Sequence, residues 1–170
     1  MKEIIATLLT FLAIALLPLS GSSQKVSANL FLRAPQIVNY NFTQEQINYS
    51  SVMSVGIGFS HKRKFIELAT FIDRNDIYGF YTFFGLNLKS KKLSDNLNLY
   101  TNWFGEVLYV PTQASLDSDV FVYTSGVCFF LNYGFDWGGI GLPLCVGGAY
   151  SQKSFSLNTR AILNIYLNLN

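Results

Sequence analysis

The chain ends on Leu157-Asn158-Thr159-Arg160-Ala161-Ile162-Leu163-Asn164-Ile165-Tyr166-Leu167-Asn168-Leu169-Asn170, and the reading of this stretch decides the fold. Leu157, Thr159, Ala161, Leu163, Ile165, Leu167 and Leu169 alternate with Asn158, Arg160, Ile162, Asn164, Tyr166, Asn168 and Asn170. A period of two places the first set on one side of a β-strand and the amides with Arg160 on the other; a helix would scatter both. The segment is also long. Soluble strands average about 5–6 residues, whereas a tilted strand crossing a bilayer needs about 9–11.

The same period recurs upstream. Ser51, Met53, Val55, Ile57 and Phe59 alternate with Val52, Ser54, Gly56 and Gly58, and Ile140, Leu142, Leu144, Val146, Gly148 and Tyr150 alternate with Gly141, Pro143, Cys145, Gly147 and Ala149. The pattern predicts strands over 29–40, 48–60, 65–74, 77–89, 96–110, 119–133, 138–151 and 155–170. Turn residues separate them at Asp73-Arg74-Asn75-Asp76, Ser94-Asp95-Asn96, Pro111-Thr112, Gly134 and Asp136. Pro35 interrupts the first segment and suits an edge or a bulge.

Composition separates a wet barrel from a greasy one. Charged residues make up 13% of the 170 and aromatics 16%, against about 25% charged in a typical soluble domain. A soluble barrel needs a densely charged outer face. Here the polar face is mostly Ser, Thr, Asn, Gly and Tyr, and Tyr78, Phe80, Phe84, Leu86 and Leu88 line the apolar one. Lipid outside a small polar interior fits this alternation. Tyr109, Tyr133 and Tyr150 fall near strand ends, where an interfacial girdle would sit. The net charge of +2 gives no bulk electrostatic reason to expect a nucleic-acid partner.

Residues 1–28 read as a secretory signal peptide: Lys2, an apolar run from Ile4 to Leu17, then Pro18 and small residues. Val26-Ser27-Ala28 offers a cleavage site and Gly21-Ser22-Ser23 a second; an uncleaved anchor is the alternative. Leu19-Ser20-Gly21-Ser22 carries serine where a lipoprotein has its acylated cysteine. No later stretch holds 18 uninterrupted apolar residues, so residues 29–170 can enter a membrane only as a closed barrel.

The expected fold is therefore all-β: an antiparallel up-and-down β-barrel of about eight strands following the signal peptide. By signal peptide, strand count and terminal strand the chain resembles the small eight-stranded bacterial outer-membrane β-barrels. That resemblance implies an outer-membrane location, with membrane lipids and the barrel-assembly machinery as partners, a monomer, and a structural, surface-interaction or slow small-solute passage role. It departs from them in ending on Leu167-Asn168-Leu169-Asn170 rather than on an aromatic residue. Asn75-Asp76-Ile77-Tyr78-Gly79-Phe80 and Trp103-Phe104-Gly105-Glu106 are similar to short patterns of the nucleoside-specific channel family, which would imply a small pore. The alternative to all of these is a soluble periplasmic barrel binding a lipid or other apolar ligand.

Residues with chemistry are few. His61 is the single histidine. Beside Ser60 it could serve as a general base, or it is a turn residue in the basic run His61-Lys62-Arg63-Lys64. Neighbours along a strand point to opposite faces, which favours the turn reading. No His-x-Ser pattern of the lipid A-modifying barrel enzymes is present. The sequence shows no metal-ligand or cofactor motif and no phosphate loop, so no enzyme is expected.

Three other features invite expectations. Phase places Arg33, Glu67, Glu106 and Arg160 on the polar side, where a narrow lumen would force them to pair; the cluster would be either a static plug or a gate. Pairing Tyr133 with Ile140 brings Cys128 opposite Cys145, as a disulfide or as two reduced small residues. Alternating turns gather His61, Lys62, Arg63, Lys64, Lys89, Lys91 and Lys92 at one end and Glu45, Asp73, Asp76, Asp117 and Asp119 at the other, with Arg74 and Lys153 as exceptions.

Overall fold

The computed structural model describes residues 26–41, 46–73, 78–112, 119–151 and 154–169. Eight strands follow one another: β1 (Ser27–Asn41), β2 (Gln46–His61), β3 (Lys64–Asp73), β4 (Tyr78–Lys92), β5 (Leu97–Val110), β6 (Val120–Phe135), β7 (Gly138–Ser151) and β8 (Ser154–Asn168). Each pairs antiparallel with the next, and β8 pairs with β1 to close the barrel. All eight predicted segments are strands, with ends displaced by a few residues. β1 starts at Ser27, so Ser27 and Ala28 of the expected cleavage site are its first two residues. Val26 precedes the strand, and residues 1–25 lie outside the described residues.

Register fixes the shape. Stepping across the ladders from Asn29 leads through Gly58, Glu67, Phe83, Glu106, Thr124, Ala149 and Ser156 back to β1 at Asn41, twelve residues beyond the start. Twelve residues at about 3.3 Å, set against eight interstrand spacings of about 4.8 Å, tilt the strands by about 45°. A steep tilt widens the ring, and this lumen uses the room.

Alongside its polar side chains, the lumen packs Phe31, Phe71, Phe83 and Phe104, all buried, with the Phe83 and Phe104 rings stacked at 5.1 Å. Glycines on neighbouring strands make this fit. A Cβ on Gly56 would lie 2.7 Å from the Phe31 ring, and one on Gly141 only 2.0 Å from Phe130.

Pro35 does not leave β1 at an edge. The β1–β8 ladder runs through it, whereas the β1–β2 ladder is broken at Ala34 and Pro35. Proline has no N–H to give, so one side of the strand forfeits pairing. Pro143 does the same in β7, which pairs continuously with β6 but loses contact with β8 at Leu142 and Pro143.

Candidate functional site: the outer belt and the lumen ion pairs

Outward side chains come from one phase of each strand, except that β4 changes phase between Asn87 and Lys89. Leu30, Leu32, Met53, Val55, Ile72, Phe80, Leu86, Phe129, Leu142, Leu144, Val146, Leu163 and Ile165 are large, apolar and exposed. Tyr123, Tyr150 and Phe155 are exposed towards one end, and Tyr133, Phe135 and Trp137 towards the other. Tyr109 packs against Phe121 beside the first group, ring centres 4.9 Å apart and the planes tilted. Along β6, Tyr123 and Tyr133 are ten residues apart. At about 3.3 Å per residue and a tilt of about 45° they stand about 23 Å apart along the axis, near the ~25 Å apolar band of a membrane barrel.

Charges sit inside. Arg33 meets Glu67 through both oxygens: Nη2 donates to Oε1 at 2.7 Å, and Nη1 lies 2.6 Å from Oε2. Its Nε donates to Asn164 Oδ1 at 3.1 Å, and the guanidinium lies 4.2 Å over the Phe31 ring. Arg160 repeats the arrangement. Its Nη1 meets Glu106 Oε2, its Nη2 donates to Glu106 Oε1 at 2.9 Å, and its Nε donates to Asn158 Oδ1 at 2.9 Å. The four expected lumen charges thus form two pairs, β1 to β3 and β8 to β5, each steadied by an amide of β8. Sequence reasoning did not single out Asn158 and Asn164, although they share the phase of Arg160 in the terminal segment. It also missed Phe31 under Arg33.

Cys128 and Cys145 face each other across the β6–β7 ladder and form a disulfide, Cα atoms 4.0 Å apart, buried in the lumen. They pack with Phe83, Phe104 and Ile162. The ion pairs, the disulfide and these rings fill the middle of the barrel.

His61 closes β2 opposite Lys64. It is buried, 8% exposed, and so is not the solvated turn residue of the sequence reading. Ser60 belongs to the opposite phase. Lys62, Arg63, Lys64, Lys89, Lys91 and Lys92 are exposed, at the same end as β1's start and β8's finish. Asp119 lies at the other end; the side chain of Asp73 and all of Glu45, Arg74, Asp76, Asp117 and Lys153 fall outside the described residues. Asp119 accepts from the Thr112 hydroxyl at 2.7 Å, the Thr112 N–H at 2.8 Å and the Tyr109 hydroxyl at 3.0 Å. These bonds, those of Thr112 foremost, hold its carboxyl below the usual carboxylate range. Among the described residues no three His, Cys, Asp or Glu side chains are grouped to hold a metal.

No protein-family model and no curated protein matches the chain. Solved structures do: Neisserial surface protein A superposes with a TM-score of 0.55 at 10% identity, over 84% of this chain and 99% of that one. The chain has the fold of the small outer-membrane β-barrels. The N-terminal β-barrel domain of Pseudomonas aeruginosa OprF is also similar, at TM-score 0.47 and 14% identity, over 85% of this chain and all of that one. At such identity the likeness is one of fold. The likeness to nucleoside-specific channels gains nothing from this barrel: Trp103–Glu106 lies within β5, Tyr78–Phe80 opens β4, Asn75–Ile77 is outside the described residues, and the lumen is filled at mid-height.

Proposed function

We propose that this protein is an outer-membrane barrel without catalytic activity, held shut by its two lumen ion pairs and serving membrane integrity or surface contact. The observation that carries the reading is the inside-out distribution of polarity. A closed wall presents an apolar belt about 23 Å tall, bordered by aromatics, while Arg33, Glu67, Glu106 and Arg160 are turned inward. Water would not favour that arrangement, and the buried rings of Phe31, Phe83 and Phe104 occupy interior space that a soluble ligand carrier would keep for its ligand. No connection between strands at the termini end exceeds four residues, whereas nine join β5 to β6 at the other end; short turns suit the periplasmic side of such barrels and support an orientation with the termini there. Barrel-assembly machinery would then be the partner that inserts the chain, and β8 the strand it meets last.

Slow passage of small solutes is the second reading. Glu67 and Glu106 flank Phe83 in the ladders, so an arginine that changed partner would swing past one ring and open a path. Fractionation tests the first reading: the protein should sediment with outer membranes and run with a heat-dependent gel shift. Recovery in the soluble periplasm would refute it. Current steps in planar bilayers would move the balance to the gate.

A further inference from the structure

Two basic segments at the termini end are built into a single outward patch. β3 pairs Lys64 with Leu86 of β4, and the Asn87 N–H donates to the Arg63 carbonyl at 2.7 Å, tying the β2–β3 turn to β4. The next residue of β4 is a bulge. Asn87 lies opposite Asn102 and Lys89 opposite Thr101, which leaves Leu88 as an extra residue. Without it Lys89 and Lys91 would share the inward phase of Phe83 and Asn87. With it they share the outward phase of Thr101, Leu99 and Trp103, so the bulge re-aims both lysines.

The turn adds a second sign of purpose. Lys62 has φ 55°, a left-handed conformation in a two-residue hairpin turn that glycine or asparagine adopts with less strain. A cation therefore occupies a position that backbone energetics would give to a smaller residue. Lys62, Arg63, Lys64, Lys89 and Lys91 are all exposed, next to the exposed apolar side chains of Leu86 and Leu88. The ion pair at this end, Lys92 with Asp95 at 2.8 Å, is separate from them. Around the rim the β6–β7 hairpin is different: Phe135 meets Tyr133 edge to face at 5.1 Å and stacks on Trp137 at 5.2 Å.

We propose that Lys62, Arg63, Lys64, Lys89 and Lys91 form a binding arc for the phosphate groups of anionic glycerophospholipids in the leaflet at the termini end, while the aromatic hairpin anchors the other side of the rim. The inference rests on the reading of the barrel as membrane-embedded. Apolar residues directly above and long cationic stems below suit a headgroup whose acyl chains lie along the wall.

The test uses the full mature barrel refolded into nanodiscs of phosphatidylcholine with a minor fraction of phosphatidylglycerol. Lipid that remains with the protein is counted by native mass spectrometry. Each engaged cation near an anionic surface contributes a preference of about fivefold, so phosphatidylglycerol should be strongly enriched in the retained lipid, and salt should erase the enrichment. The Lys62→Gly/Lys89→Gln/Lys91→Gln variant should lose most of the enrichment and keep only what Arg63 and Lys64 supply, whereas Lys92→Gln should behave as wild type. Lys62→Gly alone should lower the enrichment while its denaturation midpoint holds or rises, which separates binding from folding should the triple variant misfold. Wild-type barrel that inserts, with its heat-dependent gel shift, and retains both lipids at the bulk ratio overturns the proposal; so does a folded triple variant that keeps the enrichment. Failure of the wild type to insert at all would refute the membrane reading itself.

Discussion

Replacing Glu106 with glutamine keeps the side-chain shape and removes the charge that Arg160 faces. Arg160 would retain its bonds to Asn158 and to Thr124, at 2.9 and 3.4 Å, but its positive charge would stand in a lumen where its own side chain is 10% exposed and Glu106 only 4%. Removing one member of a buried pair costs about 3–5 kcal/mol; retained shape and polar partners place Glu106→Gln near the lower end. Lys92→Gln is the matched control. It breaks a pair whose side chains are 64% and 96% exposed, and such pairs contribute about 0–1 kcal/mol. Urea titration of the refolded barrel in detergent, followed by tryptophan fluorescence, should show a loss of about 3 kcal/mol for Glu106→Gln and under about 1 kcal/mol for Lys92→Gln. Removing both charges, as Glu106→Gln/Arg160→Gln, should cost less than the single change, because no unpaired ion remains. Equal midpoints for Glu106→Gln and Lys92→Gln would refute the idea that the lumen pair holds the barrel together.

Other outcomes follow from the same geometry. Gly141→Val should prevent or slow folding, because its Cβ would meet Phe130 at 2.0 Å; adding Phe130→Ala should restore the heat-dependent gel shift, and failure to do so would locate the problem elsewhere. Alkylation of the denatured, unreduced protein followed by mass spectrometry should find Cys128 and Cys145 linked, and their replacement by Ala should cost about 3 kcal/mol for a loop of this size. Two free thiols in periplasmically exported material would contradict the link. Asp119 has its pKa lowered in the fold, so its contribution is present above the unfolded value of about 3.9 and is lost as pH falls through the lower folded value. Amides of Thr112 should therefore exchange faster at pH 2–3 than intrinsic rates require, an effect that Asp119→Asn should abolish.

The barrel was legible because a strand with one apolar and one polar face declares its phase, and β2, β7 and β8 do so cleanly. The lumen charges were legible for the same reason: Arg33, Glu67, Glu106 and Arg160 each break an apolar alternation. β4 was less readable. Tyr78, Phe80 and Phe84 face outward and Tyr81 and Phe83 inward, so both phases are aromatic and neither declares the core. The bulge at Leu88 depends on what β5 offers opposite, which period alone does not carry. The partners of the arginines needed the barrel's stagger, since Arg160 reaches from β8 to β5 across strands that sequence order does not bring together.

The two prolines acquire a joint meaning at Ile162. In an antiparallel sheet a residue exchanges both main-chain bonds with one neighbour. On the β1 side Ile162 stands opposite Pro35; on the β7 side the register puts it opposite Pro143, where the ladder is broken. Neither proline has an N–H to give the Ile162 carbonyl, and a carbonyl left unmet in a dry wall would cost about 1–3 kcal/mol. The β7–β8 ladder is thereby divided into four pairs from Gly138 to Gly141 and eight from Leu144 to Ser151. β8 is thus fastened to β7 in two sections, while its ladder to β1 runs unbroken from Asn29 to Asn41. Amides bonded across the β7–β8 ladder should accordingly exchange in two blocks that meet at Ile162, and those across the β1–β8 seam in one, so that the closing seam holds as a unit where its neighbour is divided.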